Sequence, residues 1–313
     1  MPSVGKKLHH FVPKFYLRAW APDEQILCLQ DEHVTTRNLE KVAAENYFYR
    51  LNEISPEDAD FIEKGIIADS PEGLRETHRF LVHAFTVPHK AKRVLEETGR
   101  ATSAAMAIVD QQIVEMNENF HTSIENLFQP ILLSMKEGDL TFLEDQQKRN
   151  DFYFGLSVQY ARTNHVKRGR FSMKEENYER YLRIANILTH ITATNVGCSL
   201  AGDHGSYRVV LLDNASEIPF VTADQPVINL SANPKDFKAP EKFELYYPLS
   251  PTKAMMLVEL ESAHLPRADS VSAEQAHIYN LHMAAHSYLQ VYANSKPELE
   301  AINAELDAFL SCF

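Results

Sequence analysis

The stretch SPEDADFIEKGIIAD, residues 55–69, marks the point where strand patterns give way to helix patterns. Ser55 has the side chain of a helix N-cap, Pro56 suits the first helical position, and acidic residues follow in the first turn. Helical patterns then continue with few breaks to about residue 195. The sequence therefore predicts an all-helical block over residues 55–200.

Strand patterns precede this block. QILCLQD and HVTTRNL, within residues 25–39, are short runs that flank a turn at Asp31–Glu32, so they predict two paired strands. Pro13 drives the residue before it, Val12, out of the α region, and the chain is therefore expected to be extended as far as Pro13. Residues 1–54 are predicted to be an N-terminal strand segment.

Strand patterns return after Gly205. SYRVVLLD, IPFVTAD, FELYYPLS and KAMMLVEL are short β-branched or aromatic runs bounded by turn-forming residues. Residues 270–294 predict a helix, and residues 297–313 predict a second helix with one apolar face. Residues 205–313 are thus expected to be strand-rich and to end in helices.

These parts together predict one α+β domain over residues 1–313. A central multi-helix block would pack against a small mixed or antiparallel sheet that the N- and C-terminal segments form together. A chain of 313 residues is long enough to bury a large core, and its 44% hydrophobic content is ordinary for a folded protein.

Composition restricts the class of partner. The formal net charge is −12, and such an excess of carboxylates repels phosphate backbones and anionic lipid, so neither broad nucleic-acid binding nor membrane binding is expected. No apolar run is long enough to span a bilayer, and no signal peptide is evident. The sequence has three widely spaced cysteines, with no CxxC pair, which favours a reducing, cytoplasmic location.

Tandem histidines stand out in LHHFVPKFYLRAW, residues 8–20. Adjacent side chains of an extended chain point to opposite faces, so His9 and His10 cannot both enter one pocket without a local twist. Histidine suits acid–base chemistry or metal binding because its pKa lies near neutrality. One imidazole could serve a site while the other packs; alternatively, both are hydrogen-bonded structural residues.

A second candidate lies in FYFGLSVQYARTN, which predicts a helix. Gln159 and Arg162 are one turn apart and extend an apolar stripe, so both are expected to point inward. A buried arginine needs an anionic partner. That partner is either a protein carboxylate or a bound phosphate or carboxylate ligand, and the sequence leaves both open.

Three further polar residues are candidates. Asp224 follows a short strand in IPFVTADQPVINL, where it either contributes to a site or caps its own turn. Glu63 in DFIEKGII and Asn280 in HIYNLHMAAH are polar residues among apolar ones. A solvated helix face also explains Glu63, and an interhelical hydrogen bond also explains Asn280.

Seven segments, in order, resemble the motifs of the bacterial family called Domain of Unknown Function 4238: HHFVPKFYL, NYFY, FIEK, VQYART, FVTADQPV, YYPLS and YNLHMAAHSYLQVYA. That family opens with His-His-x-x-Pro, carries Gln-x-x-Arg-Thr on a long helix, and has a Thr/Ser-Asp-x-Pro turn downstream. The resemblance covers essentially the whole chain and implies no reaction. It implies that these residues belong to one shared site: His9, His10, Glu63, Gln159, Arg162, Asp224 and Asn280.

The first functional hypothesis is an enzyme, a hydrolase or transferase that acts on a phosphate-bearing small molecule or nucleic acid. His9 or His10 would be the general acid or base, Asp224 would orient it or bind a metal, and Gln159 with Arg162 would stabilise negative charge.

A metal-dependent version of the enzyme would use His10, Glu63 and Asp224 as mixed ligands. The sequence identifies no cofactor. The second hypothesis is a non-catalytic ligand-sensing or protein-interaction module whose polar cluster is structural. An oligomer assembled through the tail helix is compatible with either hypothesis.

Overall fold

A computed structural model of the chain describes residues 7–169, 175–236, 242–262 and 270–313. Helices and short antiparallel strands make up an α+β fold, as predicted. The α-helices are α1 (Lys14–Leu17), α2 (Pro56–Ile62), α3 (Arg75–Glu97), α4 (Ser103–Lys136), α5 (Gln146–Ala161), α6 (Asn164–Gly169), α7 (Glu175–Gly202), α8 (Ala273–Ala285) and α9 (Lys296–Leu310). The strands are β1 (Leu8–His10), β2 (Gln25–Gln30), β3 (His33–Asn38), β4 (Ala44–Asn46), β5 (Tyr207–Asp213), β6 (Thr222–Ala223), β7 (Ile228–Asn229), β8 (Leu245–Ser250), β9 (Lys253–Glu259) and β10 (Val291–Ala293).

The helical block begins where the sequence predicts. The Ser55 side chain accepts a hydrogen bond from the Asp58 N–H, and the Asp58 side chain accepts one from the Ser55 N–H, which completes a capping box. Pro56 occupies the first helical position of α2. A π-helical turn over Glu63–Ile67 follows α2 directly. No helix of the described ranges is both long enough and apolar enough to cross a membrane.

Helix α5 packs against both α4 and α7, and glycine allows it to approach both closely. A Cβ atom on Gly155 would lie 2.4 Å from Cδ2 of Phe128 on α4, so only glycine fits there. On α7, a Cβ atom on Gly197 would lie 3.0 Å from the Cα of Phe154 on α5. The C-terminal half of α5, which carries Gln159 and leads into Arg162, is thereby held against α4.

One sheet joins the two ends of the chain, with strand order β3-β2-β10-β6. Asp31 and Glu32 have positive φ angles and form the turn between β2 and β3, which confirms the predicted hairpin. The helix prediction for residues 270–294 is wrong in its last part, because α8 ends at Ala285 and β10 follows. Tyr292 of β10 is fully buried and pairs with strands on both sides, and this tertiary pairing overrides the local helix pattern.

The remaining strands form two other antiparallel sheets. Strands β5, β9, β8 and β7 belong to the C-terminal part alone, and β1 pairs with β4 in a two-stranded ribbon. The apolar face of α9 packs into the core through the buried Leu299 and Ile302, with the partly buried Leu306 and Phe309 beside them. Much of the predicted apolar face of the tail helix is therefore covered by the chain itself.

Candidate functional site

His9 lies in β1 and faces helix α4. Its ring is fully buried; Nδ1 accepts a hydrogen bond from the Tyr49 N–H at 3.0 Å, and Nε2 lies 3.2 Å from Oε2 of Glu118. Because Nδ1 is an acceptor, the neutral ring carries its proton on Nε2 and donates it to Glu118. The Tyr49 ring stacks on the imidazole at 5.8 Å between centroids. His9 is thus fixed in one tautomer against a carboxylate.

His10 points to the other face of β1, as strand geometry predicts. Its Nε2 lies 3.3 Å from the carbonyl oxygen of Leu39, and the residue is half-buried. Of the two tandem histidines, His9 is the one that the structure places against α4.

Arg162 is the residue after the last turn of α5 and is fully buried. Its Nη1 donates to Oε1 of Glu125 on α4 at 2.6 Å, while Nε and Nη2 have no partner among the described residues. Burial lowers the pKa of the guanidinium, whereas Tyr49 and Glu125 raise it, and the net effect is a rise. A protein carboxylate, that of Glu125, thus accepts from Nη1 of Arg162. The edge formed by Nε and Nη2 is left for a bound phosphate or carboxylate, so the structure is compatible with both kinds of anionic partner.

Gln159, one turn before Arg162, is 1% exposed, and neither atom of its amide has a partner within the described part of the chain. The hydroxyl of Tyr49 is buried without a partner in the same way. Buried polar atoms are nearly always hydrogen-bonded in native proteins. The unpartnered polar atoms of Arg162, Gln159 and Tyr49 therefore require an explanation. We refer to the following residues as the Arg162 cluster: His9, Tyr49, Glu118, His121, Glu125, Gln159 and Arg162.

His121 of the cluster contacts a second buried histidine, His190. The His121 ring lies 4.2 Å from Tyr49 and 4.7 Å from His190 between centroids. Burial lowers the pKa of His121 well below its usual value and that of His190 to about 3, and the positive charges of Arg162 and Lys167 add to both shifts. Both rings are therefore uncharged at neutral pH.

A second buried cation lies near the histidines. Lys167 Nζ is 2.6 Å from Oδ1 of Asn186, which belongs to α7. It also lies 3.5 Å from the centre of the Phe48 ring, a cation–π distance. The region around the Arg162 cluster thus contains two buried positive side chains.

Asp224 takes part in a different network. Its carboxylate accepts hydrogen bonds from the backbone N–H groups of Tyr288 (2.8 Å), Leu289 (2.8 Å) and Gln290 (3.1 Å). Burial raises its pKa to about 6, and these backbone donors oppose the rise. The carboxylate therefore caps the backbone of the segment before β10, 64 to 66 positions along the chain, and not its own turn as the capping alternative has it. The next residue, Gln225, hydrogen-bonds the Thr163 hydroxyl, so the turn docks at the end of α5.

The structure also places Glu63 and Asn280 away from the Arg162 cluster. Glu63 is half-buried and pairs with Arg79, with 2.6 Å between Oε1 and Nη2. Asn280 is fully buried: its Oδ1 accepts from the Val221 N–H at 2.9 Å, and its Nδ2 donates to Oε1 of Glu298 at 2.7 Å. Of the seven residues that the family resemblance implies, the structure places His9 and Arg162 beside the same residue, Tyr49, and Gln159 lies one turn before Arg162.

The three metal-ligand candidates, His10, Glu63 and Asp224, lie in three separate networks. Over residues 7–169, 175–236, 242–262 and 270–313, no group of three or more histidine, cysteine, aspartate or glutamate side chains is placed to hold a metal ion.

Sequence reasoning missed the residues that α4 contributes. Glu118, His121 and Glu125 are spaced i, i+3 and i+7, which puts them on one helical face. Asn117 and His121 interrupt a buried stripe that otherwise holds apolar residues such as Ile124. Polar residues within an apolar stripe were the available signal, whereas the sequence predicts this segment only as part of the helical block.

A model of the family described as "Protein of unknown function (DUF4238)" matches residues 8–191 and 203–297. These ranges include β1, α4 and α5, and with them every residue of the Arg162 cluster. No curated protein and no solved structure matches the chain. Since the matched ranges cover most of its length, the chain belongs to the DUF4238 family.

Proposed function

We propose that the chain is an enzyme that acts on a small phosphate- or carboxylate-bearing molecule bound at Arg162. The observation that carries this proposal is the unpaired edge of the buried guanidinium, formed by Nε and Nη2. That edge has the geometry to hold two oxygens of an oxyanion at once. A buried donor without an acceptor costs about 1–3 kcal/mol, and a bound oxyanion removes this cost.

The neighbouring orphan groups support the same ligand class. The amide of Gln159 and the hydroxyl of Tyr49 can each donate a hydrogen bond, and neither has a partner in the described residues. The neutral ring of His121 adds a further unpartnered atom, Nδ1. Several donors around one cation match a group with several acceptor oxygens, as phosphate and carboxylate groups have.

Glu118 is the candidate acid or base of this enzyme. His9 holds its carboxylate by donating from Nε2, so His9 acts as a positioning residue. Glu118 and Glu125 are two turns apart on α4, about 10 Å along the helix axis, so the proposed base and the carboxylate that pairs with Arg162 are separate groups. In a hydrolase or transferase, Glu118 would take the proton of the attacking nucleophile while Arg162 stabilises the negative charge.

The proposed setting is the cytoplasm, since Cys28, Cys198 and Cys312 are all free thiols. A small molecule is favoured over nucleic acid as the substrate because the chain carries a net charge of −12. An oligomer formed through α9 stays a prediction.

Native mass spectrometry combined with a phosphate titration tests ligand binding. We expect a co-purifying anionic ligand, or a rise in Tm with inorganic phosphate or acetate, for the unmodified chain. Arg162→Gln and Gln159→Leu should lose both signals while remaining folded by circular dichroism. Arg149→Gln, an arginine change on the same helix outside the cluster, is the matched control and should keep them. An unliganded mass and no response to either anion would refute the proposal.

A second candidate function is a ligand sensor without catalysis. The observation that favours it is burial, because Arg162 is 0% exposed and Gln159 is 1% exposed. Glu118→Gln separates the two functions once the ligand has been identified by its mass. An enzyme converts the ligand, and this variant binds it without converting it; a sensor leaves the ligand unchanged in both proteins.

A further inference from the structure

A cavity of about 620 Å³ is lined by residues of α3, α4, α5 and α7, and none of its lining residues belongs to the Arg162 cluster. Most of its lining is apolar, and the principal side chains are Phe80, Leu81, Phe85, Met116, Phe120 and Phe154. A volume of this size is typical of small-molecule sites, which are mostly apolar with a few polar groups that fix orientation. The cavity therefore has the dimensions and the chemistry of a second binding site.

His190 supplies the polar group in this apolar wall. The residue lines the cavity and is 2% exposed, so neighbouring side chains cover nearly all of its ring. Its Nε2 lies 2.7 Å from Oδ1 of Asn117, which requires the proton to be on Nε2. Its Nδ1 has no partner among the residues that the structure describes. Nδ1 is consequently a buried hydrogen-bond acceptor without a donor.

The rings around His190 favour an aromatic ligand. Phe85 and Phe120 both meet the imidazole edge-on, at 5.4 Å and 4.9 Å between centroids. Edge-to-face packing of this kind is the preferred geometry between aromatic rings, and a flat ligand can continue it. Phe80 is 72% exposed and Phe120 is 38% exposed, although both line the cavity. Large apolar side chains left in contact with water next to a cavity are a feature of ligand sites.

We propose that this cavity binds a small aromatic molecule that presents one N–H or O–H to Nδ1 of His190. The aromatic body would pack against the phenylalanine side chains, and the single donor would satisfy the one orphan acceptor. This site adjoins the proposed oxyanion site, because the His190 ring lies 4.7 Å from that of His121, but its lining does not include Arg162 and the ligand that it selects is uncharged.

Indole and 1-methylindole are the probes that test this inference, since they share one aromatic body and differ in the N–H donor. We expect calorimetric titration of the unmodified chain to give a dissociation constant for indole that is about 3- to 10-fold lower than that for 1-methylindole. In His190→Phe the two constants should become equal, because the acceptor is lost while the apolar wall remains. Ala84→Trp places a large side chain at the cavity wall without touching the acceptor, and it should weaken both probes at least 10-fold.

His204→Phe, at an exposed position, is the control for the histidine change and should keep the preference for indole. The inference is overturned if neither probe binds the unmodified chain, or if both bind it equally well. It is also overturned if the preference for indole persists in His190→Phe. Should His190→Phe fail to fold, the preference in the unmodified chain and the loss of binding in Ala84→Trp still decide the question.

Discussion

Replacing His190 with glutamine isolates the pH dependence that buried histidines impose on stability. Burial keeps His190 and His121 neutral in the folded chain, where the pKa of His190 is about 3 and that of His121 is well below 6.5. In the unfolded chain both side chains return to a pKa near 6.5 and bind protons at acidic pH. The unfolded state thus binds more protons, and the free energy of unfolding falls as pH falls from about 6.5 toward 3.

The size of the effect follows from these pKa values. At pH 5.5, one unit below the unfolded pKa, each histidine that stays neutral lowers the free energy of unfolding by about 1.4 kcal/mol relative to pH 8. A glutamine at position 190 can keep the hydrogen bond to Asn117 but cannot bind a proton. Asp224 acts with the opposite sign, because its folded pKa is raised to about 6. Its contribution is the same in both proteins and cancels in the comparison.

Urea unfolding followed by circular dichroism at pH 8.0, 6.5 and 5.5 measures the effect. The loss of stability between pH 8.0 and 5.5 should be about 1.4 kcal/mol smaller in His190→Gln than in the unmodified chain. His204→Gln, a change at an exposed histidine, is the control and should show the same loss as the unmodified chain. Equal pH dependence in His190→Gln and the unmodified chain would refute the argument that this histidine stays neutral through burial.

Two further substitutions test the packing and the buried polar contacts. Gly155→Ala places a methyl group 2.4 Å from Cδ2 of Phe128 and should lower the free energy of unfolding by about 2 kcal/mol, despite the better helix propensity of alanine. Gly202→Ala, where nothing lies within 4 Å, should be neutral in the same urea experiment, and equal effects at both positions would contradict the close contact. Asn280→Ala removes one of the partners of Glu298 and leaves two buried backbone groups, the Val221 N–H and the Pro219 carbonyl oxygen, without their side-chain partner, so a loss of at least about 2 kcal/mol is expected. A smaller loss in thermal or urea unfolding would mean that water replaces the amide.

Local patterns predicted the parts of the fold that local chemistry determines. The cap at Ser55 and the turn at Asp31–Glu32 depend on neighbours within a few residues, and both lie where the sequence predicts them. Strand β10 depends instead on pairing with β2 and β6, which are distant in sequence. Val291 and Tyr292 favour a strand locally, but a run of three residues directly after a helical pattern is too short to predict one.

The candidate site was predictable to a similar extent. The alternation of side chains along a strand predicted that His9 and His10 point to opposite faces. Helical spacing predicted that Gln159 and Arg162 lie on one inward-facing stripe. The partners of these residues are on α4, and which helix lies opposite α5 is a property of the tertiary packing. Glu118 was missed because an isolated helical glutamate, read alone, is typical of a solvated face.

The position of β10 inside its sheet has a consequence for synthesis on the ribosome. β2 gains β3 as a neighbour as soon as the hairpin emerges, but its second neighbour is near the other end of the chain. Gln290, the residue before β10, donates a hydrogen bond to Gln30, 260 positions away. Until that region leaves the exit tunnel, the nascent chain presents a row of unpaired backbone N–H and C=O groups along β2. Translation that stops before residue 291 therefore releases a substrate for chaperones or proteases in place of a stable truncated protein.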